Sequence, residues 1–327
     1  MGEEGRRAVR SMYSLEALAI LAMLIFGTSF YALVVALRDI PPVTLGVLRS
    51  LLAVLFMSGL FLFERFVRGR RSHLTSRYML FAGLKKRKHI ILIFGTAFFG
   101  TALPNILQNI GMNMMDPSSA SSLTSLIQGV APMFTIILAA IWLHERLDRY
   151  KVMGLVFAIP ATILLTTYSG STVHLGSKET IGAALNLVTA MSYSMAGICL
   201  KSAMNRKADI LSIIFLNAAL GTIMQLPVLI GFWALGWEDP LMVLSVSAGP
   251  LLALFYLGVS IYAITGIIWY TVIQGSELSK ATFFVFLLPL FSTVVGYVLL
   301  GERLSIIHLI AGIVLVGGVG ISQLSKR

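Results

Sequence analysis

Asn105, Gln108 and Asn109 follow one another at i, i+3 and i+4, a spacing that puts three amide side chains on one face of a helix. In an apolar setting such a face either bonds to a neighbouring helix or lines a path for a polar solute, and both readings stay open. Pro104 precedes them, so the helix loses a hydrogen bond there and one backbone carbonyl needs another partner. Ser192, Tyr193 and Ser194 form a second polar group, and Tyr262, Thr265 and Trp269 share a helical face in a third. Tyr262 reads as pocket lining, whereas Tyr270 reads as part of an interfacial aromatic belt. Gln128 and Asn186 are single amides that read as packing contacts. Arg49 is expected to reach outward to water or to meet Asp39, and Lys280 to sit at a solvated helix end.

Other chemistries lack their residues. His73, His89, His144, His174 and His308 are scattered over loops and segment ends, which leaves no metal-binding group. Ser, His and Asp do not converge, and no Gly-rich phosphate loop follows a strand. Neither a catalytic residue, a metal nor a cofactor is expected. Of the 14 acidic residues, only Glu16 and Glu277 lie near an apolar segment, so a carboxylate proton relay is not expected either.

The elements that hold these residues are set by composition. Hydrophobic residues make up 57% and charged residues 12%, against about a quarter charged in soluble domains. Apolar runs long enough to cross a bilayer, roughly 20 residues each, recur ten times. They cover 15–37, 44–63, 90–112, 120–143, 152–168, 181–200, 210–235, 248–273, 281–300 and 306–322. The net charge of +11 does not point to nucleic acid, because its placement follows the membrane. With both termini inside and ten crossings, 21 of the 25 Lys and Arg fall on the inner side, nine of them in the segment 64–89. Arg38, Lys178 and Arg303 fall outside. The basic segment either enforces topology or lies on anionic lipid headgroups. Cys199 stands alone, so no disulfide framework exists.

One pattern occurs twice. Pro132, Phe134, Glu145, Arg146 and Leu147 are matched by Pro289, Phe291, Glu302, Arg303 and Leu304, each 157 residues further on. Each copy is an apolar helix broken by proline, a Glu-Arg-Leu turn and a second apolar helix. Five crossings separate the copies, so the two turns should lie on opposite faces. The expected fold is therefore an all-α membrane protein of ten transmembrane helices, arranged as two inverted five-helix repeats, 15–168 and 181–323.

With that repeat in place, the chain resembles the EamA-like members of the drug/metabolite transporter superfamily. The resemblance is carried by Phe26-Gly27-Thr28-Ser29-Phe30, by Pro41-Pro42 with Thr44 and Arg49, and by the two Pro-to-Glu-Arg-Leu helix pairs. Gly154 and Ala311-Gly312 stand where the family has small residues. Phe26 and Tyr193 stand where it often carries Trp, and the 64–89 loop is longer than its usual turn. The resemblance implies a multi-pass secondary transporter of the cell membrane, both termini cytoplasmic, exporting a small metabolite or drug-like molecule by alternating access. A sugar-phosphate or nucleotide-sugar exchanger is the alternative, and a membrane scaffold or lipid-handling protein comes from another class. The expected lining is Asn105, Gln108, Tyr193, Tyr262 and Thr265, flanking helix breaks at Pro132 and Pro289. Partners are expected to be a small-molecule substrate and membrane lipids, with a homodimer through Gly312, Gly317, Gly318 and Gly320 of the last helix also open.

Overall fold

The computed structural model describes residues 3–68, 87–117, 119–167, 177–205, 210–300 and 306–325. Among the described residues the chain is helical almost throughout and contains no strand. Ten long helical segments follow one another. They are α1 (Ser14–Ala36), α2 (Pro42–Phe63), α3 (His89–Asn113), α4 (Ala120–Trp142), α5 (Arg149–Thr167), α6 (Lys178–Met204), α7 (Ile210–Ala234), α8 (Ala248–Gly275), α9 (Leu278–Val295) and α10 (Ile306–Gln323). All but α5 and α10 are long and apolar enough to cross a membrane, which makes eight such segments. The second Glu-Arg-Leu turn and most of the basic segment 64–89 lie outside the described residues.

Apolar side chains point outward as well as inward, the reverse of a soluble bundle. Phe66, Leu62, Ile141 and Val298 are all exposed. Without a hydrophobic drive between helices in lipid, close backbone packing has to hold the bundle together. The α5–α10 seam shows how. A Cβ added at Gly154 would lie 2.9 Å from the Gly318 carbonyl oxygen, so the two backbones touch through their missing side chains. Gly317 and Gly320 meet nothing within 4 Å. Of the last helix's glycines, then, Gly318 serves packing within the chain, as does Gly312, whose added Cβ would lie 3.0 Å from Leu290 Cδ1.

The segments pair in sets that exchange when each is replaced by the one five places on. α5 packs on α10 and α2 on α7, each pair mapping onto itself. The pair α3 with α6 maps onto α8 with α1, and α1 with α9 maps onto α6 with α4.

Four segments, α3, α4, α8 and α9, are irregular. α4 is two helices, Ala120–Gln128 and Ala131–Trp142, with the break at Gly129 and Val130 just before Pro132. α9 runs as Leu278–Phe283, a 3-10 turn over Phe284–Phe286, and a helix from Leu287 that contains Pro289. Moved back by 157, that 3-10 turn falls on 127–129, so the two breaks coincide in the repeat. Proline explains both, since it cannot donate to the fourth carbonyl before it and its ring pushes that carbonyl away. α3 has a π-helical turn at Phe98–Ala102, just ahead of Pro104, and there the Phe99 carbonyl accepts the Ser192 hydroxyl at 2.8 Å. That is the outside partner expected of a carbonyl released near a proline. α8 carries a π-helical stretch over Tyr256–Thr265 with no proline inside it.

Candidate functional site

A cavity of about 260 Å³ lies at the centre, lined by residues of α1 to α4 and α6 to α9. Neither α5 nor α10 contributes to its wall. Four of the five expected lining residues meet there: Asn105, Gln108, Tyr193 and Tyr262. The Tyr193 hydroxyl donates to Gln108 Oε1 at 3.5 Å, joining α6 to α3. The Tyr262 hydroxyl is bonded to the Thr101 hydroxyl across α8 and α3.

Thr265 does not line the cavity. It is fully buried, and its hydroxyl donates to the Ser260 carbonyl five residues back in its own helix, at 2.8 Å. The π-helical stretch is the cause. A face that would carry Tyr262, Thr265 and Trp269 at α-helical spacing is underwound by the wider turn, which turns Thr265 away and brings Gly266 and Tyr270 to the wall beside Tyr262 and Trp269. Tyr270, expected in the interfacial belt, therefore lines the cavity, where its hydroxyl accepts from Asn217 Nδ2 at 2.8 Å. Lys280 follows its expected distance from the site, with its amine on the Ser325 carbonyl.

Arg49 departs furthest from expectation. It is 7% exposed and lines the cavity, with Nε 3.0 Å from Asn105 Oδ1 and a second guanidinium nitrogen on the same oxygen. Asn105 is held in turn by its Nδ2 on the Gly46 carbonyl at 3.2 Å. Asp39, the partner expected from sequence, accepts from Ser247 instead. Gln128 also lines the cavity, and its Nε2 is buried with no hydrogen-bond partner; Asn217 Oδ1 is in the same condition. Such groups are costly to bury unless a solute or water meets them. Asn186 packs away from the wall, on the Gly182 carbonyl at 2.9 Å. No Asp or Glu is among the described residues that form the wall.

Both ends of the cavity are fastened by a carboxylate from one half on a helix start of the other. Glu145, in the turn after α4, accepts from the backbone N–H of Leu278 at 2.8 Å and of Ser279 at 2.9 Å, and also takes the Ser279 hydroxyl. Glu238, between α7 and α8, accepts from Val43 N at 2.9 Å, Thr44 N at 3.0 Å and Thr44 Oγ1 at 3.0 Å. A negative group on the free N–H groups of a helix start satisfies them and meets the positive end of the helix dipole. Glu277 adds an ion pair with Lys151 at 2.9 Å beside the first cap. Sequence reasoning missed Glu238 as a contact, because only its tertiary position distinguishes it from any loop carboxylate.

Similarity to other proteins agrees with this architecture. A match to the EamA-like transporter family covers residues 14–167 and 180–323. An uncharacterized transporter from Bacillus subtilis, YvbV, is 28% identical over 68% of this chain and 65% of its own length. An uncharacterized transporter from Archaeoglobus fulgidus is 23% identical over 91% of this chain and 94% of its own. A solved crystal structure shares the fold at a TM-score of 0.70 and 16% identity, covering 95% of this chain and 97% of that one. Matched across both halves and built of many membrane-crossing helices, the chain belongs to the EamA-like transporter family and is a multi-pass membrane transporter.

Proposed function

We propose that this transporter exports a small metabolite or drug-like molecule by alternating access. In this reading ten transmembrane helices form two inverted halves, 15–168 and 181–323, which rock about the central cavity in the cell membrane. Both termini face the cytoplasm. The observation that carries the reading is the cavity itself, walled by four helical segments of each half and flanked by the paired breaks before Pro132 and Pro289. The exchange of helix pairings between halves supports a duplicated plan. The two end contacts support alternating crossings, since each joins loops that such a topology puts on one face: the turn after α4 with the start of α9, and the start of α2 with the loop after α7. A scaffold would leave this cavity without a role. An exchanger of phosphorylated sugars would want several cations in the wall, and Arg49 is the one cationic side chain among the described lining residues.

Topology is tested by single Cys residues at Ser72 and Ser171 in a chain whose Cys199 has been replaced. Impermeant maleimide is expected to reach position 171 from outside intact cells and position 72 only after permeabilisation. Labelling of position 72 from outside would overturn the orientation.

Transport is tested in reconstituted vesicles against amino acids, bases and dyes, with and without a pH gradient. Exchange or downhill flux is expected, without proton-driven accumulation, because no carboxylate is among the described wall residues. Gln108→Leu is expected to lower flux at least several-fold while insertion stays nearly intact, since the amide's glue role is worth only about a kcal/mol or less. Normal flux through that variant at normal expression would remove Gln108 from the path.

A further inference from the structure

Among the described residues two cations are buried, and they are held differently. Lys151, 1% exposed, is paired with Glu277 at 2.9 Å and also donates to the Arg146 carbonyl at 2.8 Å. Arg49, equally out of water at 7% exposed, has only neutral partners. Among the described residues no carboxylate lies within ion-pair distance of it, and its close neighbours besides Asn105 are the hydroxyls of Tyr193 and Tyr262. An unpaired charge in a low-dielectric interior is strongly disfavoured, so a counter-charge from outside the protein would be held firmly.

The guanidinium geometry points the same way. Arginine has five N–H donors in a planar fork. Asn105 Oδ1 takes the edge formed by Nε and one terminal nitrogen, and the hydrogen bond from Asn105 Nδ2 to the Gly46 carbonyl fixes that acceptor in place. The Tyr193 hydroxyl takes a further hydrogen bond from the guanidinium, and of the five donors two are left for a two-oxygen acceptor. Most of the remaining wall is apolar or aromatic, with Phe26, Phe30, Leu257 and Trp269 among its residues.

We propose that Arg49 is the receptor for the carboxylate of a singly charged solute whose body is apolar. One cation matches one negative charge, and a dianionic phosphate would bring a charge the wall leaves unmet. The inference rests on the reading that the transported solute occupies this cavity, and it narrows that reading to a substrate class.

The experiment uses three acids, each beside its neutral amide of the same shape: phenylacetate, indole-3-acetate and hexanoate with phenylacetamide, indole-3-acetamide and hexanamide. Affinity is measured by thermal stabilisation of the purified full chain at pH 7. At least one acid is expected to bind about tenfold or more tightly than its amide, the scale of a charge-assisted hydrogen-bond pair. Arg49→Gln should erase that preference. Arg49→Lys should keep the sign of the preference at reduced size, because the charge stays and the fork is lost; this variant carries the test if Arg49→Gln does not fold. Equal binding of acid and amide, no binding of any acid, or an undiminished preference in either variant would each overturn the proposal. The same compounds in vesicle counterflow separate the two readings. Flux of neutral solutes with no acid preference sinks the role of Arg49 alone. Arg49-dependent acid binding with no flux of any solute keeps the anion site and sinks the transporter cycle proposed for the cavity.

Discussion

Alanine at Gly182 is expected to lower the unfolding temperature of the purified protein sharply and to suppress transport. Gly182 of α6 and Gly111 of α3 meet backbone to backbone. A Cβ at Gly182 would sit 2.5 Å from the Gly111 carbonyl oxygen, and one at Gly111 would sit 2.7 Å from the Gly182 carbonyl oxygen. Main chain cannot swing aside as a side chain can, so α3 and α6 must separate. That costs about 1–3 kcal/mol by analogy with overpacked cores, and it widens the seam between the halves near Asn109 and Asn186. Gly111→Ala should behave alike. Gly231→Ala provides the contrast, since nothing lies within 4 Å of its added methyl, and it should be neutral or slightly stabilising. Equal melting of the Gly182 and Gly231 variants would show that the α3–α6 contact relaxes freely and would remove this seam from the forces that hold the fold.

Glu145→Gln should loosen one end of the cavity and Glu238→Gln the other. Each carboxylate uses both oxygens, one on the first backbone N–H of a helix start and the other on the next N–H together with a hydroxyl. An amide has one acceptor oxygen, and its NH2 would confront a backbone donor. Loss of a helix cap is worth about 0.5–2 kcal/mol, and 1.4 kcal/mol is tenfold in a two-state population. With the orientation proposed above, Glu145→Gln should raise labelling of a cavity Cys at Thr282 from the cytoplasmic side by roughly tenfold. Glu238→Gln should raise it from the outside instead. If neither variant changes the side or rate of labelling, the two caps do not hold the ends closed.

Much of the fold could be read from the chain because its strongest signals are long-range in length but local in cause. Apolar runs mark membrane segments wherever lipid is the solvent, and prolines at matching positions break helices for reasons contained within one turn. The breaks before Pro132 and Pro289 and the π-helical turn ahead of Pro104 are of this kind. The errors came where a neighbour decides. Thr265 and Tyr270 exchanged places because the π-helical stretch in α8 has no proline to announce it, and one wide turn rotates everything after it. Arg49 had a plausible partner close in sequence in Asp39, but the α2–α3 contact supplies Asn105 and the loop after α7 takes Asp39 through Ser247. Residue type and spacing marked the polar group of α3 but left packing and lining open; the structure puts Asn105 and Gln108 on the cavity wall and Asn109 on the Pro42 carbonyl, partners set by helices elsewhere in the chain.

Glu145 and Glu238 also decide what a half of this protein is by itself. The first half owns the carboxylate that completes α9, and the second owns the one that completes α2. Cut between residues 168 and 181, each fragment would present a helix start whose leading N–H groups have lost their carboxylate cap. Each part of the chain supplies the acceptor for a helix start of the other, so fragments made separately should be unstable singly and recover only when made together.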